Sequence, residues 1–188
     1  MAIKIYIDQG HNPSNPNAGA EGNGLREQDI TYAVGTALAE LLRENGNFDV
    51  MVSRNTQEEI LGNSNAESLR IRTEEANAFG ADAFISIHVN ASNITEATGS
   101  EAYIFRRDSS AFDLAEDILL RLSEATGYAS RGVFVRPSLY VLKNTKMPAV
   151  LVELGFITNR QEAIYMYENP TLYARGIYNG ILTYYGLD

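Results

Sequence analysis

The chain contains no cysteine and no tryptophan among its 188 residues. Without cysteine, the protein can form no disulfide, no thiolate metal site and no cysteine nucleophile. Any metal site must therefore use nitrogen and oxygen ligands. The absence does not fix the compartment, because a domain of this length can bury a sufficient core without disulfide bonds.

Positive charge is also scarce, since 15 Lys and Arg residues face 24 Asp and Glu residues, for a formal net charge of −9. Nucleic-acid binding depends on clustered positive charge that neutralises phosphates. We therefore expect no nucleic-acid partner. Simple electrostatic adhesion to an anionic membrane or cell wall is disfavoured for the same reason.

Long hydrophobic runs are missing as well. No stretch approaches the roughly 18–20 apolar residues that a membrane-spanning helix needs. The N-terminus, "MAIKIYIDQG", alternates and soon reaches Asp8, which is typical of a first strand rather than a signal peptide. We expect no membrane span, no signal peptide in this chain, and a single domain over residues 1–188.

Apolar patterns along the chain predict an α/β fold. Residues 8–24, dense in Gly, Asn and Pro, predict a long loop, and such loops are often functional. Strand-like runs alternate with helical stripes, which favours one domain with a mainly parallel sheet. The predicted strands are 3–7, 48–54, 81–89, 99–105 (an antiparallel edge), 138–142 and 148–156, and the predicted helices are 26–45, 66–79, 109–127, 160–168 and 171–185.

The two histidines of the chain occupy similar positions. His11 in "IYIDQGHNP" and His88 in "FISIHVNAS" each follow an apolar run and precede turn residues. Ligands of α/β proteins bind at the carboxyl ends of parallel strands. If the strands are parallel, His11, His88 and Glu153 of "PAVLVELGF" gather along one edge of the sheet.

Two imidazoles and a carboxylate are ligands that zinc prefers when no thiolate is present. Glu27 is the best third candidate, because it opens the helix that follows the long loop. A helix-terminal carboxylate stabilised by the helix dipole explains Glu27 equally well. Glu21 and Asp29 are weaker candidates, and we expect Asp8 to support His11 from behind or to point elsewhere.

Glu153 closes a run of five apolar positions, where a carboxylate is costly to bury unless it is paired or functional. Beside a metal-bound water it could act as a general base and later as an acid. Pairing with Arg54 or Arg72 under the sheet would also explain it. On the residues alone, the sequence predicts a metal-dependent hydrolase, and histidines with a purely structural role remain an alternative.

Four blocks then resemble one known family, the zinc-dependent N-acetylmuramoyl-L-alanine amidases of the Amidase_3 type. In chain order the blocks are "IYIDQGHNP", "GLREQDI", "LRIRTEEANAFGADAFISIHVNAS" and "VLVELGFITN", and the resemblance covers residues 3 to 182. It implies a twisted mixed sheet flanked by helices, zinc on His11, Glu27 and His88, and Glu153 as catalytic acid and base. It also implies cleavage of the amide between the lactyl group of N-acetylmuramic acid and L-alanine in peptidoglycan.

The chain departs from the family pattern in two places. Asn12–Pro13 stands where the family often has Gly-Gly, and Pro13 restricts the loop. The autoinhibitory helix that some members insert before the catalytic glutamate is absent, which predicts an open cleft. Asn90, Arg72 and Asn77 are candidates for holding substrate or loops, although a strand-end turn and a helix surface explain them as well.

The resemblance also implies a substrate, an oligomeric state and a localisation. We expect peptidoglycan as substrate, a monomer, and action in the cell wall or outside the cell, as an autolysin, a sporulation enzyme or a phage-encoded lysin. Two other functions stay open. A zinc peptidase would cut within the stem peptide, and a wall-binding module would bind without catalysis.

Overall fold

The computed structural model describes residues 2–188, and these form eight strands and six helices. The strands are β1 (Ile3–Gln9), β2 (Glu21–Gly22), β3 (Leu25–Arg26), β4 (Phe48–Val52), β5 (Ala83–Asn90), β6 (Ser100–Ile104), β7 (Ser130–Val135) and β8 (Ala149–Phe156). The helices are α1 (Glu27–Asn45), α2 (Asn65–Phe79), α3 (Ser110–Thr126), α4 (Tyr140–Asn144), α5 (Arg160–Glu168) and α6 (Pro170–Tyr185).

Six strands form one sheet in the order β4-β1-β5-β8-β6-β7. β4, β1, β5 and β8 run parallel, β6 is antiparallel to β8, and β7 is parallel to β6. β2 and β3 make a separate small antiparallel pair within the long loop. The predicted single-domain, mainly parallel mixed sheet is confirmed.

Helices cover both faces of this sheet, as the sequence predicts, because alternate strand residues point to opposite sides. On one face, strand residues such as Ile5, Ile87 and Val152 pack in a buried cluster with the apolar stripes of α1, α3 and α6. On the other face, Tyr6 and Phe84 belong to a smaller cluster with residues of α2 and α4. Near β7 this face is open, since Phe134, which lies opposite Tyr103 of β6, is exposed.

Two strand predictions are wrong. Residues 138–142 were expected to form a strand, but Tyr140–Asn144 forms α4, which packs against α2 and β8. A short apolar run does not distinguish a strand from a buried helical turn. The sequence also misses β7, whose residues are mostly exposed and whose apolar run, 133–135, is only three residues long. Because β7 pairs with β6, β6 is antiparallel as expected but is not the edge of the sheet.

None of the helices within residues 2–188 is both long enough and apolar enough to cross a membrane. The long loop, the helices α1, α2, α3, α5 and α6, and the remaining strands match the predicted elements to within a few residues. The boundaries of the domain, residues 1–188, stay a prediction.

Helices α3 and α6 approach closely because α6 carries glycine at two positions one turn apart, Gly176 and Gly180. A Cβ added at Gly180 would lie 2.7 Å from the backbone nitrogen of Ile118 and 2.9 Å from the carbonyl oxygen of Asp117. Both atoms belong to the backbone, so they cannot rotate away. The contact between these helices therefore requires glycine.

We expect Gly180→Ala to lower the free energy of unfolding by about 2 kcal/mol, because the overpacking cost exceeds the gain in helix propensity. Urea unfolding followed by circular dichroism measures the change. Asn179→Ala, at the preceding position of α6, is the control and should be no less stable than wild type, because alanine favours the helix. A Gly180→Ala protein that is as stable as wild type would show that the helices can move apart without cost.

Candidate metal centre and active site

Strand register brings four residues into one line across the sheet. His88 of β5 lies opposite Glu153 of β8, Glu153 opposite Glu101 of β6, and Glu101 opposite Gly132 of β7. Residues opposite each other in neighbouring strands share a face. His88, Glu153 and Glu101 therefore point to the same side of the sheet, the side that α2 and α4 cover in part.

His11 lies two residues beyond β1, at the start of the long loop, and has a left-handed backbone with φ of 69°. This conformation is uncommon for residues other than glycine and is typical of sites where the surrounding structure imposes it. The His11 carbonyl accepts a hydrogen bond from Arg72 Nη2 at 2.7 Å. The next residue, Asn12, donates its N–H to the Asn17 carbonyl at 2.9 Å. The turn is thus fixed on both sides.

Arg72 is fully buried and connects this turn to the sheet. Its Nη1 forms an ion pair with Asp8 and donates to the Gln9 carbonyl at 2.7 Å. Ser86 donates its hydroxyl to the other Asp8 oxygen at 2.7 Å. Burial alone would raise the pKa of Asp8, but the Arg72 guanidinium, the His88 ring and the Ser86 hydroxyl together keep that pKa below its usual value. Arg72, held in place by Asp8, therefore restrains the backbone of the turn that carries His11.

His88 lies within β5, two residues before its end, rather than at the strand exit that the sequence suggests. Its Nδ1 is 3.0 Å from Glu27 Oε1. A Cβ on Gly10 would lie 2.8 Å from His88 Nε2, so the close approach of the first strand to this ring requires glycine. The backbone of Gly10 also donates to the Ile87 carbonyl at 3.0 Å.

Glu27 begins α1 and is the meeting point of the cluster. Its Oε1 is 3.1 Å from His11 Nε2 and 3.0 Å from His88 Nδ1, and it accepts from the Val89 N–H at 2.9 Å. Its Oε2 accepts from the Ala20 N–H at 2.8 Å. Burial would raise the pKa of Glu27, but hydrogen bonds from the two histidines hold it well below its usual range.

The donor set of His11, Glu27 and His88 fits a metal ion. One ligand atom from each residue can be chosen so that all three lie within 4.8 Å of one another. Gly19 keeps this space open, since a Cβ there would lie 2.8 Å from Glu27 Oε2. Of the weaker candidates, Asp29 forms an ion pair with Arg26 at 2.8 Å and Glu21 is exposed on β2. Nitrogen and carboxylate donors in this number are typical of zinc sites that leave a position for water.

Glu153 is half-buried, and its Oε2 is enclosed without a hydrogen-bond partner among residues 2–188. The two arginines named above as alternative partners of Glu153 are engaged elsewhere. Arg72 binds Asp8, and Arg54 donates to the Gln28 carbonyl at 2.9 Å. Burial raises the pKa of Glu153 well above its usual value, and the charges of Glu27 and Glu101 raise it further.

Glu101 is a polar residue of this site that the sequence reasoning missed. It is buried beside Glu153, accepts from Arg131 Nε at 2.6 Å and accepts from the Tyr103 hydroxyl at 2.8 Å. The signal was present in "GSEAYIF", where a carboxylate occupies the same strand face as Tyr103. Its partner Arg131 lies in β7, a strand that the sequence does not predict, so this contact could not be expected.

The remaining predicted support residues lie in different places. Asn77 ties α2 to the end of α4, since it donates to the Asn144 carbonyl and accepts from the Lys146 N–H, both at 2.9 Å. Asn90 ends β5, and its carbonyl accepts from the Ile157 N–H at 2.8 Å. Each geometry is that of a residue that holds a loop, and substrate contact by Asn90, Arg72 or Asn77 stays a prediction.

Known proteins resemble this chain over nearly its whole length. The family model described as N-acetylmuramoyl-L-alanine amidase matches residues 5–183. An uncharacterized Bacillus subtilis (strain 168) protein, YqiI, is 38% identical over 186 residues, or 96% of this chain and 84% of that protein. The N-acetylmuramoyl-L-alanine amidase CwlM of Bacillus licheniformis is 34% identical over 190 residues, or 99% of this chain and 70% of that protein.

Solved structures agree with the sequence relatives. The catalytic domain of CwlV, an N-acetylmuramoyl-L-alanine amidase from Bacillus (Paenibacillus) polymyxa var. colistinus, matches with a TM-score of 0.86 at 27% identity, and the match covers 99% of both chains. The chain therefore belongs to the N-acetylmuramoyl-L-alanine amidase family.

We expect Arg72→Met to lower the free energy of unfolding by about 3–5 kcal/mol, because it leaves the Asp8 charge buried without its partner. Urea unfolding measures the loss. Adding Asp8→Asn to the same protein removes the stranded charge and should restore part of the stability. If Arg72→Met alone costs less than about 1 kcal/mol, the size of an exposed ion pair, the pair does not hold the His11 turn as described.

Proposed function

We propose that this chain hydrolyses the amide bond between the lactyl group of N-acetylmuramic acid and the L-alanine of the peptidoglycan stem peptide. The observation that carries the proposal is the enclosed, unpaired oxygen of Glu153, which lies on the same sheet edge as three converging metal donors. Membership of the amidase family supports the choice of bond. The proposed substrate is peptidoglycan, so the proposed place of action is the cell wall, and we propose a monomer with one catalytic domain.

We assign zinc to the donor set of His11, Glu27 and His88. When bound, zinc polarises the scissile carbonyl and lowers the pKa of a water molecule to about 7, which supplies a nucleophile at neutral pH. The chain's part is to orient the donors. Val89 and Ala20 fix the Glu27 carboxylate through their N–H groups, and Gly10 and Gly19 leave room for the His88 ring and for the Glu27 carboxylate.

Glu153 moves the proton. As the water oxygen forms a bond to the carbonyl carbon, the Glu153 carboxylate accepts a proton from the water. When the carbon–nitrogen bond breaks, Glu153 gives that proton to the departing nitrogen of L-alanine. The products are the lactyl carboxylate and a stem peptide with a free amino terminus. Burial of Glu153, which raises its pKa, suits a group that must hold a proton between these two steps.

The direct test replaces Glu153 with glutamine. We expect Glu153→Gln to lower the rate of release of stem peptides from purified cell walls by about 10²–10⁴-fold, because a positioned general base contributes that much. Zinc content, measured on dialysed protein, should stay at the wild-type level. Glu168→Gln, at an exposed position of α5, is the matched control. Full activity in a folded Glu153→Gln protein would exclude the role assigned to this residue.

Mass spectrometry of the products tests the bond itself. An amidase frees intact stem peptides and leaves the lactyl carboxylate on the sugar, whereas a peptidase would leave alanine attached to the sugar. Fragments that retain alanine would therefore overturn the proposed function.

Gly19→Ala tests the metal site without changing a ligand. The added methyl would lie 2.8 Å from Glu27 Oε2 and 3.0 Å from His11 Cδ2, so it displaces two of the three donors. We expect zinc to bind about 10–100-fold more weakly, the size of effect that disturbed support of metal ligands produces. Competition with a chromophoric chelator measures the affinity. Ala2→Gly, at an exposed position before β1, is the control. An unchanged affinity would argue against these residues as ligands.

A further inference from the structure

An open part of the sheet lies beyond Glu101, on the same face as Glu153. We call it the β7 platform and define it as Tyr103, Phe134 and Arg136. The two rings meet edge to face with their centroids 6.3 Å apart. The Arg136 guanidinium carbon lies 5.2 Å from the Tyr103 ring centroid and 5.8 Å from that of Phe134. Phe134 is 38% exposed, which is unusual for a phenylalanine on a sheet face.

The β7 platform is continuous with the proposed catalytic edge. The Tyr103 hydroxyl donates to Glu101 Oε2 at 2.8 Å, and Glu101 lies opposite Glu153. Tyr103 lies two residues after Glu101 on β6, opposite Phe134 of β7. Since neighbouring strands are about 4.8 Å apart, β7 lies roughly 10 Å from β8. Arg136 lies four residues beyond Gly132, the residue opposite Glu101, and its guanidinium contacts the Tyr103 ring, which connects it to Glu101.

The β7 platform carries a positive charge, that of Arg136, although the chain as a whole has a formal net charge of −9. Among residues 2–188, no carboxylate lies within ion-pair distance of Arg136, and the only hydrogen bond of its guanidinium there goes from Nη1 to the Val135 carbonyl at 3.3 Å. Arg131, by contrast, is bound to Glu101. Arg136 therefore presents an unneutralised guanidinium fork, the group best suited to bind a carboxylate.

We propose that the β7 platform binds the stem peptide of the substrate, with Arg136 taking a carboxylate on a residue beyond L-alanine. This inference rests on the proposed function. The two parts of the substrate differ in charge. The N-acetylated sugar with its amide-linked lactyl group is neutral, whereas the stem peptide carries carboxylates. A guanidinium on the face of the catalytic carboxylate, beside the ring whose hydroxyl binds Glu101, matches the peptide and not the glycan.

Two soluble substrates test the inference, N-acetylmuramoyl-L-alanyl-D-glutamate with both carboxylates free and the same compound with both amidated. We expect wild-type enzyme to have a lower KM for the diacid than for the diamide. Arg136→Gln should reduce this preference, measured as the ratio of the two kcat/KM values, by about fivefold, the size of a partly exposed ion pair. The loss should lie mainly in KM, because Arg136 contacts no reacting atom.

Arg43→Gln is the matched control. Arg43 is also exposed and also donates to one backbone carbonyl, that of Val50 at 3.1 Å, but it lies by β4 at the opposite edge of the sheet. It should keep the wild-type ratio. An equal loss of kcat/KM on both substrates in Arg136→Gln, which leaves the ratio unchanged, would overturn the inference in favour of the glycan. Wild-type kcat/KM values on both substrates would overturn it outright, and with a changed sedimentation coefficient they would assign the β7 platform to a second copy. If wild type hydrolyses neither substrate, the proposed function fails first.

Discussion

The register between β5, β8 and β6 is the constraint on which the site depends. It sets His88, Glu153 and Glu101 side by side on one face of the sheet. A slip of one residue in any strand would turn its side chains to the other face. The core prevents such a slip, because Ile87, Val152 and Ala102 alternate with the polar residues and are fully buried on the opposite face. The hydrophobic core of one face thus fixes the polar geometry of the other.

Glu162 holds the same strands together at the carboxyl edge of the sheet. Its two oxygens accept hydrogen bonds from the Phe156 N–H at 2.7 Å and the Gly99 N–H at 2.8 Å. These two groups belong to the end of β8 and the residue before β6. A Cβ on Gly155 would lie 2.8 Å from Glu162 Oε1, so the strand reaches this carboxylate only with glycine. The antiparallel pair is therefore anchored close to Glu153 and Glu101 by a fully buried carboxylate.

Sequence patterns predicted the parallel strands and the four polar positions, because each follows from local information. Apolar runs mark the buried strands, and parallel strands must end at one edge, so His11, His88 and Glu153 could be expected there before any distance was known. The edge strand β7 is mostly exposed and has only three apolar residues in a row, so the sequence missed it together with the positions of Arg131 and Arg136. The contact between Arg72 and the His11 carbonyl joins residues 61 positions apart and has no local signal.

The buried pair of Asp8 and Arg72 is better explained by geometry than by stability. Removing two charges from water costs several kcal/mol each, and well-packed apolar residues of similar volume often stabilise a core as well or better. Apolar side chains could not, however, hold the carbonyls of Gln9 and His11, which Arg72 binds at 2.7 Å each. A histidine in the left-handed conformation costs of order 1–3 kcal/mol, and such strain persists only where neighbours impose it. The arginine fork supplies that restraint, so the chain retains a costly ion pair at the point where a proposed metal ligand leaves the sheet.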